Sequence, residues 1–335
     1  MIETVQTLLN EFAAHNSDRR LQLFDVKAES GEGDWVSLSG RILEEADYNE
    51  LRIALESQVP GVQVDYAGVQ VLRKAAPHVM TVSTNLTGLY AEPGWQAEML
   101  SQVFYGWKLE VLEERGNWAQ VWMLDGYLGW VYLPYMTEHP APDPTHLIVA
   151  PVSYVRAESS LRSQDVGRLL CGTAVQVVRW NGLYAEIDAQ VWGWVTATDL
   201  RALEDMPKNT LERRAMLAAD VTHLMGVPYL EGGCTAMGID SSGYSHLLHR
   251  LIGIRIPRTV DLQYNTGRKV EYPYQAGDLL FFGEAGEKPC VSHVAVSLGG
   301  WRIIHSSRHR NGVYFDDVQD VPSLKESFLG ACTFL

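Results

Sequence analysis

The chain has 335 residues, an apolar fraction of 46% and a formal net charge of −14. That is enough chain for two to four domains with their own cores, and the acidic balance argues against nucleic acid or an anionic membrane surface as partner, since both ask for clustered Lys and Arg. Cys171, Cys234, Cys290 and Cys332 lack the paired spacing of a disulfide framework or a zinc site, so no metal or cofactor is expected; no signal peptide or membrane span is evident either.

A cytoplasmic protein is the expectation, or an extracellular one if a leader has been removed; the oligomeric state is left open. Taken in order, Val5, Leu8, Leu9 and Phe12 have helical spacing. Strands are expected over 21–28 and 35–42, joined by a Gly31-Glu32-Gly33 turn, then a helix over 44–56 and a strand over 62–72. The order αββαβ predicts a small two-layer domain over 1–75. Its Leu38-Ser39-Gly40-Arg41 stretch faintly resembles the BON domain, and a packing or spacer role is the favoured reading.

From about 77 to 203 the chain repeats itself. Gly106-Trp107-Lys108-Leu109 and Gly116-Asn117-Trp118-Ala119 return 66 residues later as Gly172-Thr173-Ala174-Val175 and Gly182-Leu183-Tyr184-Ala185. Gly129-Trp130-Val131 returns as Gly193-Trp194-Val195, slipped by two. Short strands with glycine turns predict two small β-barrels, over 77–138 and 145–203, linked by the stiff proline-rich 139–144. The closing Gly-Trp-Val resembles that of bacterial SH3 domains. Most of the Trp and Tyr residues are expected in barrel cores.

The last domain, 208–335, reads as helices first and strands later, an α+β arrangement. A helix is expected over 211–224, a glycine-rich loop over 226–239, a second helix over 241–251, and strands over 279–282, 291–298, 301–305 and 313–315. Ser241 would open the second helix, where unpaired backbone N–H groups and the helix dipole favour negative charge. His293 and His305 lie on adjacent strands around Gly299-Gly300. A bulged hairpin there would put His305 opposite His293 on one face. A nucleophile, a base and a group that orients the base make up the frame of a thiol peptidase.

The ordered blocks Tyr229, Gly232-Gly233, Gly238-Ile239-Asp240-Ser241-Ser242-Gly243, Pro257-Arg258, Gln263, Gly277-Asp278, Ser292-His293-Val294 and Ile304-His305-Ser306 resemble the NlpC/p60 family of papain-like cell-wall peptidases. With SH3 domains ahead of them, they are most similar to its YkfC-like γ-D-glutamyl-L-diamino acid endopeptidases. The resemblance implies a murein tripeptide or related cell-wall peptide as partner. It implies position 241 as nucleophile, His293 as base and His305 as its orienter. It places Tyr229 near the oxyanion, and Asp240 and Ser242 in the substrate cleft. Glu92 and Tyr127 of the first barrel would be the acidic and aromatic substrate contacts.

The chain departs from the family at informative positions. Ser241 stands where the family has cysteine, Thr259 and Val260 replace an acidic and a small polar residue, and Glu231 replaces an aromatic one. A serine hydroxyl is far less acidic than a thiol and must lose its proton as it attacks. Three readings stay open: a cysteine replaced to trap substrate, a protein that binds murein peptide without cutting it, and a serine-based or weakly active hydrolase. Thr259 and Val260 favour natural drift. Cys234 is expected to be a small buried residue, and His246 and His249 to be packing residues.

Overall fold

A computed structural model describes residues 2–16, 18–29 and 35–335; the expected 31–33 turn lies outside them. They form two compact units, Met1–Met80 with Ala91–Ala97 and Lys108–Pro134, and Thr81–Tyr90 with Glu98–Trp107 and Tyr135–Leu335.

In the first unit, helix Ile2–His15, strands Phe24–Glu29 and Trp35–Ile42, helix Glu45–Gln58 and strand Gln63–Val71 follow in that order. The first two strands pair antiparallel, and the second and third pair parallel across the helix, as a helical crossover requires. Val5, Leu8 and Leu9 of the helix bury their stripe against Val26, Val36 and Leu38. A meander of Lys108–Arg115, Trp118–Trp122 and Leu128–Tyr132 completes the unit. Leu43 and Leu72 pack with Leu112 and Leu128 of that meander. Arg41 Nη1 donates to Glu113 Oε1 at 2.6 Å beside them.

In the second unit, Leu86–Tyr90 pairs with Met99–Phe104, and residues 146–202 form a seven-stranded sheet around Ile148, Val155, Leu169, Val175, Ile187 and Val195. The repeat is visible in the registers. Val111 faces Val121 and, after a bulge, Glu113 faces Gln120; Val177 faces Ile187 and, after a bulge, Arg179 faces Glu186. Every position shifts by the same 66 residues, bulge included.

The C-terminal portion opens with helix Thr210–Asp220, capped by the Asn209 side chain, which accepts from Glu212 N at 3.0 Å. The helix Ser241–Leu251 lies against a six-stranded antiparallel sheet in the order Arg268–Val270, Phe328–Thr333, Leu279–Glu284, Cys290–Gly299, Arg302–Ser307, Gly312–Asp317. Strand Arg268–Val270 and helix Pro322–Ser327 carry no alternation or periodicity long enough to read from sequence. Tyr244, Leu247, Leu248 and Leu251 pack on Val294, Val296 and Ile304, so one sheet face is a continuous core under this helix.

Candidate active site

The helix begins at Ser241 because Asp240 caps it. Asp240 has extended backbone, and its Oδ1 accepts from Gly243 N at 2.6 Å, satisfying one of the first-turn donors. Oδ2 accepts from Gly232 N at 2.8 Å. The Arg258 guanidinium then closes a network. Its Nη1 donates to Asp240 Oδ1 at 3.0 Å and Ser242 Oγ at 2.9 Å, and its Nη2 to Asp240 Oδ2 at 2.7 Å and Gly233 O at 3.1 Å. Gly243 is required for this closeness: a Cβ there would lie 2.2 Å from Gly233 O.

Asp240 and Ser242 were expected to line the substrate cleft. They are instead 5% and 7% exposed, with both carboxylate oxygens and the Ser242 hydroxyl engaged internally. The physical reason is Arg258, 3% exposed: a buried guanidinium needs a counter-charge and acceptors for its donors. Ser241 is 7% exposed at the first helical position.

The loop ahead of the helix is held from two sides. Strand Met99–Phe104 supplies Gln102, whose Oε1 accepts from Cys234 N at 2.9 Å and Thr235 Oγ1 at 3.3 Å, and Ser101, whose Oγ accepts from Arg258 Nε at 3.1 Å. On the other side Ser306 Oγ donates to Ile239 O at 2.6 Å. That bond joins the residue after His305 to the residue two before Ser241. Gln263, fully buried, donates through Nε2 to Ser242 O at 3.0 Å and accepts from Ser245 Oγ at 2.7 Å, fixing the first turn of the helix.

The two histidines come together. His293 Nε2 and His305 Nδ1 are 2.7 Å apart, and His305 Nε2 lies 2.9 Å from Asp316 Oδ2. The hairpin carries the expected bulge, between Ser297 and Gly299, and Val296 faces Ile304. Continued along the ladder, that register puts His305 across from Ala295. His305 therefore shares a face with His293 but sits diagonally from it, a correction to the directly opposed pair. The diagonal offset lets one ring reach the other's edge. Burial lowers the pKa of both imidazoles; for His293 the neighbouring His305 lowers it further, and for His305 the Asp316 carboxylate opposes the drop.

Asp316 was not visible from the motifs. It faces Ile303, one diagonal from His305, and only the register of three strands reveals it. Arg310 Nη1 holds its other oxygen at 2.7 Å.

Tyr229 bridges to Ile239, which places it beside the helix start, but its hydroxyl donates to Glu231 Oε2 at 2.8 Å. Burial and then that hydrogen bond raise the pKa of Tyr229. Glu92 is exposed in the first unit. Tyr127 is 2% exposed, the placement of a packed ring and not of a substrate contact. Cys234 is buried and its thiol pKa is raised by burial, which keeps it a thiol. His246 Nδ1 lies 2.9 Å from Ile256 O, and His249 is fully buried. Among the described residues no group of three or more His, Cys, Asp or Glu is placed to hold a metal ion, and no helix is long and apolar enough to cross a membrane.

The helix-opening Ser241, the loop fastened to Ser306 and the paired histidines coincide with a family match: the NlpC/P60 profile covers residues 226–331. The chain carries an NlpC/P60 domain. Ahead of it, the bacterial dipeptidyl-peptidase SH3 domain matches residues 89–133. The gamma-D-glutamyl-L-lysine dipeptidyl-peptidase of Bacillus cereus is 27% identical over 261 residues, 70% of this chain and 75% of that protein. The protein of the same name from Bacillus subtilis is 28% identical over 222 residues, 62% of this chain and 72% of that one. The crystal structure of an NlpC/P60 family protein from Bacillus cereus has TM-score 0.66 at 20% identity, covering 77% of this chain and 99% of that one. At that identity the likeness is one of fold.

Proposed function

We propose that this chain acts on peptidoglycan peptides as a hydrolase of the NlpC/P60 type, at the γ-D-glutamyl-L-diamino acid bond. Ser241 is its nucleophile, His293 the base and His305 the group that orients the base. The 2.7 Å hydrogen bond between His293 and His305, on strands fastened to the start of the Ser241 helix, carries this reading. The names of the Bacillus relatives give the bond class.

On this reading Ser241 Oγ attacks the γ-carbonyl carbon of the glutamyl residue while its proton passes to His293. The C–N bond then breaks, the proton goes to the leaving amine, and water hydrolyses the acyl-enzyme by the same base. The backbone N–H of Ser241, among the first-turn donors, stabilises the oxyanion. Burial of His293 keeps it neutral and able to accept the proton.

A second reading, peptide binding without turnover, is favoured by two observations. The nucleophile position holds the less acidic hydroxyl, and the Tyr229 hydroxyl is engaged by Glu231. The separating experiment incubates L-Ala-γ-D-Glu-L-Lys with the wild type and with Ser241→Cys, and measures released lysine by mass spectrometry. The proposal expects turnover in both, with Ser241→Cys faster by about 100-fold or more, the scale of an ångström's misplacement of a nucleophile. Binding by calorimetry with no release from either protein establishes the second reading. Neither binding nor release defeats both.

A further inference from the structure

The hydrogen-bond chain continues one residue beyond the two histidines. We infer that Asp316, held by Arg310, is a positioning residue that fixes the tautomers of both imidazoles and so makes Nδ1 of His293 the basic atom of the site. A carboxylate only accepts, so the 2.9 Å contact between His305 Nε2 and Asp316 Oδ2 makes Nε2 the protonated nitrogen of His305. In the neutral ring Nδ1 then carries a lone pair and can only accept. The 2.7 Å contact to His293 Nε2 therefore makes that nitrogen the donor. One nitrogen of His293 remains, Nδ1, and it must bear the lone pair.

Asp316 is itself fixed. Arg310 Nη1 donates to Oδ1 at 2.7 Å and the Arg310 guanidinium lies 4.6 Å from the Tyr314 ring centre. The two carboxylate oxygens thus have separate tasks, one for Arg310 and one for His305. The Asp316 side chain is 16% exposed and that of His305 4%, so solvent competes little for the contact. Burial keeps both rings neutral, so each carries one N–H and one lone pair. When His293 takes a proton on Nδ1 it becomes a cation, and its Nε2–H proton can shift toward His305, whose own Nε2–H faces the Asp316 carboxylate. Positive charge formed on the base is thereby spread through His305 and stabilised at the Asp316 carboxylate. A serine, which must give up its proton fully as it attacks, has more need of this than a thiol.

The consequence for Ser241 rests on the function proposed above; the tautomer assignment does not. Long-range proton–nitrogen NMR of the full-length protein is therefore the first measurement. Both His293 and His305 are expected to show a protonated Nε2 and a bare Nδ1. A proton on Nδ1 of His305 in the wild type would overturn the inference without any variant. In Asp316→Ala, His305 is expected to gain an Nδ1–H population, and Asp316→Glu to restore the wild-type pattern. The second measurement is alkylation by iodoacetamide of the thiol in Ser241→Cys, with and without Asp316→Ala. The rate is expected to fall about 10- to 100-fold, the size of effect seen when an orienting partner of a metal-bound imidazole is lost. Spectra unchanged by Asp316→Ala would overturn the inference. Altered spectra with unchanged alkylation would uphold it and count instead against the pairing of Ser241 with His293.

Discussion

Asp240 is a motif residue whose carboxylate is engaged wholly within the fold. It caps the helix, holds the Gly232 amide and neutralises Arg258, so it fixes where Ser241 stands. His249, eight residues into the same helix, presents the opposite situation. Its Nδ1 lies 2.8 Å from Ser245 O, its Nε2 has no partner among the described residues, and burial pushes its pKa down to about 4. Unfolded, the ring takes a proton near pH 6.5; folded, it stays neutral until about pH 4. The unfolded state thus binds more protons within that window, and stability falls as pH drops through it. Full expression of the shift is worth about 3 kcal/mol. His249→Leu, which also removes the unsatisfied nitrogen, should lose less melting temperature than the wild type between pH 6.5 and 4.5. Parallel melting curves across that range would show that His249 is not the responsible group.

The loop before the helix is best understood as an element held by strand Met99–Phe104. Gln102 Oε1 is the acceptor for Cys234 N, and both residues are buried. Gln102→Ala should strand that amide at a cost of about 1–3 kcal/mol, and hydrogen exchange at Cys234 should accelerate accordingly while the helix Thr210–Asp220 is unaffected. Exchange at the wild-type rate would mean that the loop holds itself. The element pattern itself was largely legible in the sequence. The Asp-Ser-Ser-Gly junction announces a capped helix, Val294, Val296 and Leu298 alternate against His293 and Ala295, and Gly299-Gly300 permits the bulge, with φ of +114° and +60°. What stayed hidden depends on partners far away in sequence. Ser101 and Arg258 are 157 positions apart, and Asp316 reaches His305 only through strand register. No local period encodes either contact. Tyr127 came from the family resemblance alone, and its burial at 2% exposure depends on packing that no local pattern encodes.

Within the second unit, the seven-stranded sheet over 146–202 bears on the NlpC/P60 domain. Val149 and Cys171 belong to the same apolar cluster as Leu247, Leu248 and Leu251, and Arg250 Nε donates to Gly172 O at 2.8 Å. The charged link is Arg201, which donates to Asp220 Oδ2 at 2.7 Å, Asp220 Oδ1 at 2.8 Å and Leu251 O at 2.8 Å. The Asp220 side chain is only 2% exposed, and His223 Nδ1, at 3.9 Å, is too far to replace the guanidinium. Arg201→Met should therefore leave a buried carboxylate unpaired and destabilise the unit by about 3–5 kcal/mol, read as a lower urea midpoint. Removing the charge as well, in Arg201→Met with Asp220→Leu, should recover most of that loss. The recovery should stop short by the cost of Leu251 O losing its donor, about 1–3 kcal/mol. If Arg201→Met kept the wild-type midpoint, the apolar cluster alone would be holding the sheet to the NlpC/P60 domain. If the double variant were no better than the single, the missing hydrogen bond at the end of the Ser241 helix, and not the unpaired charge, would be the dominant loss.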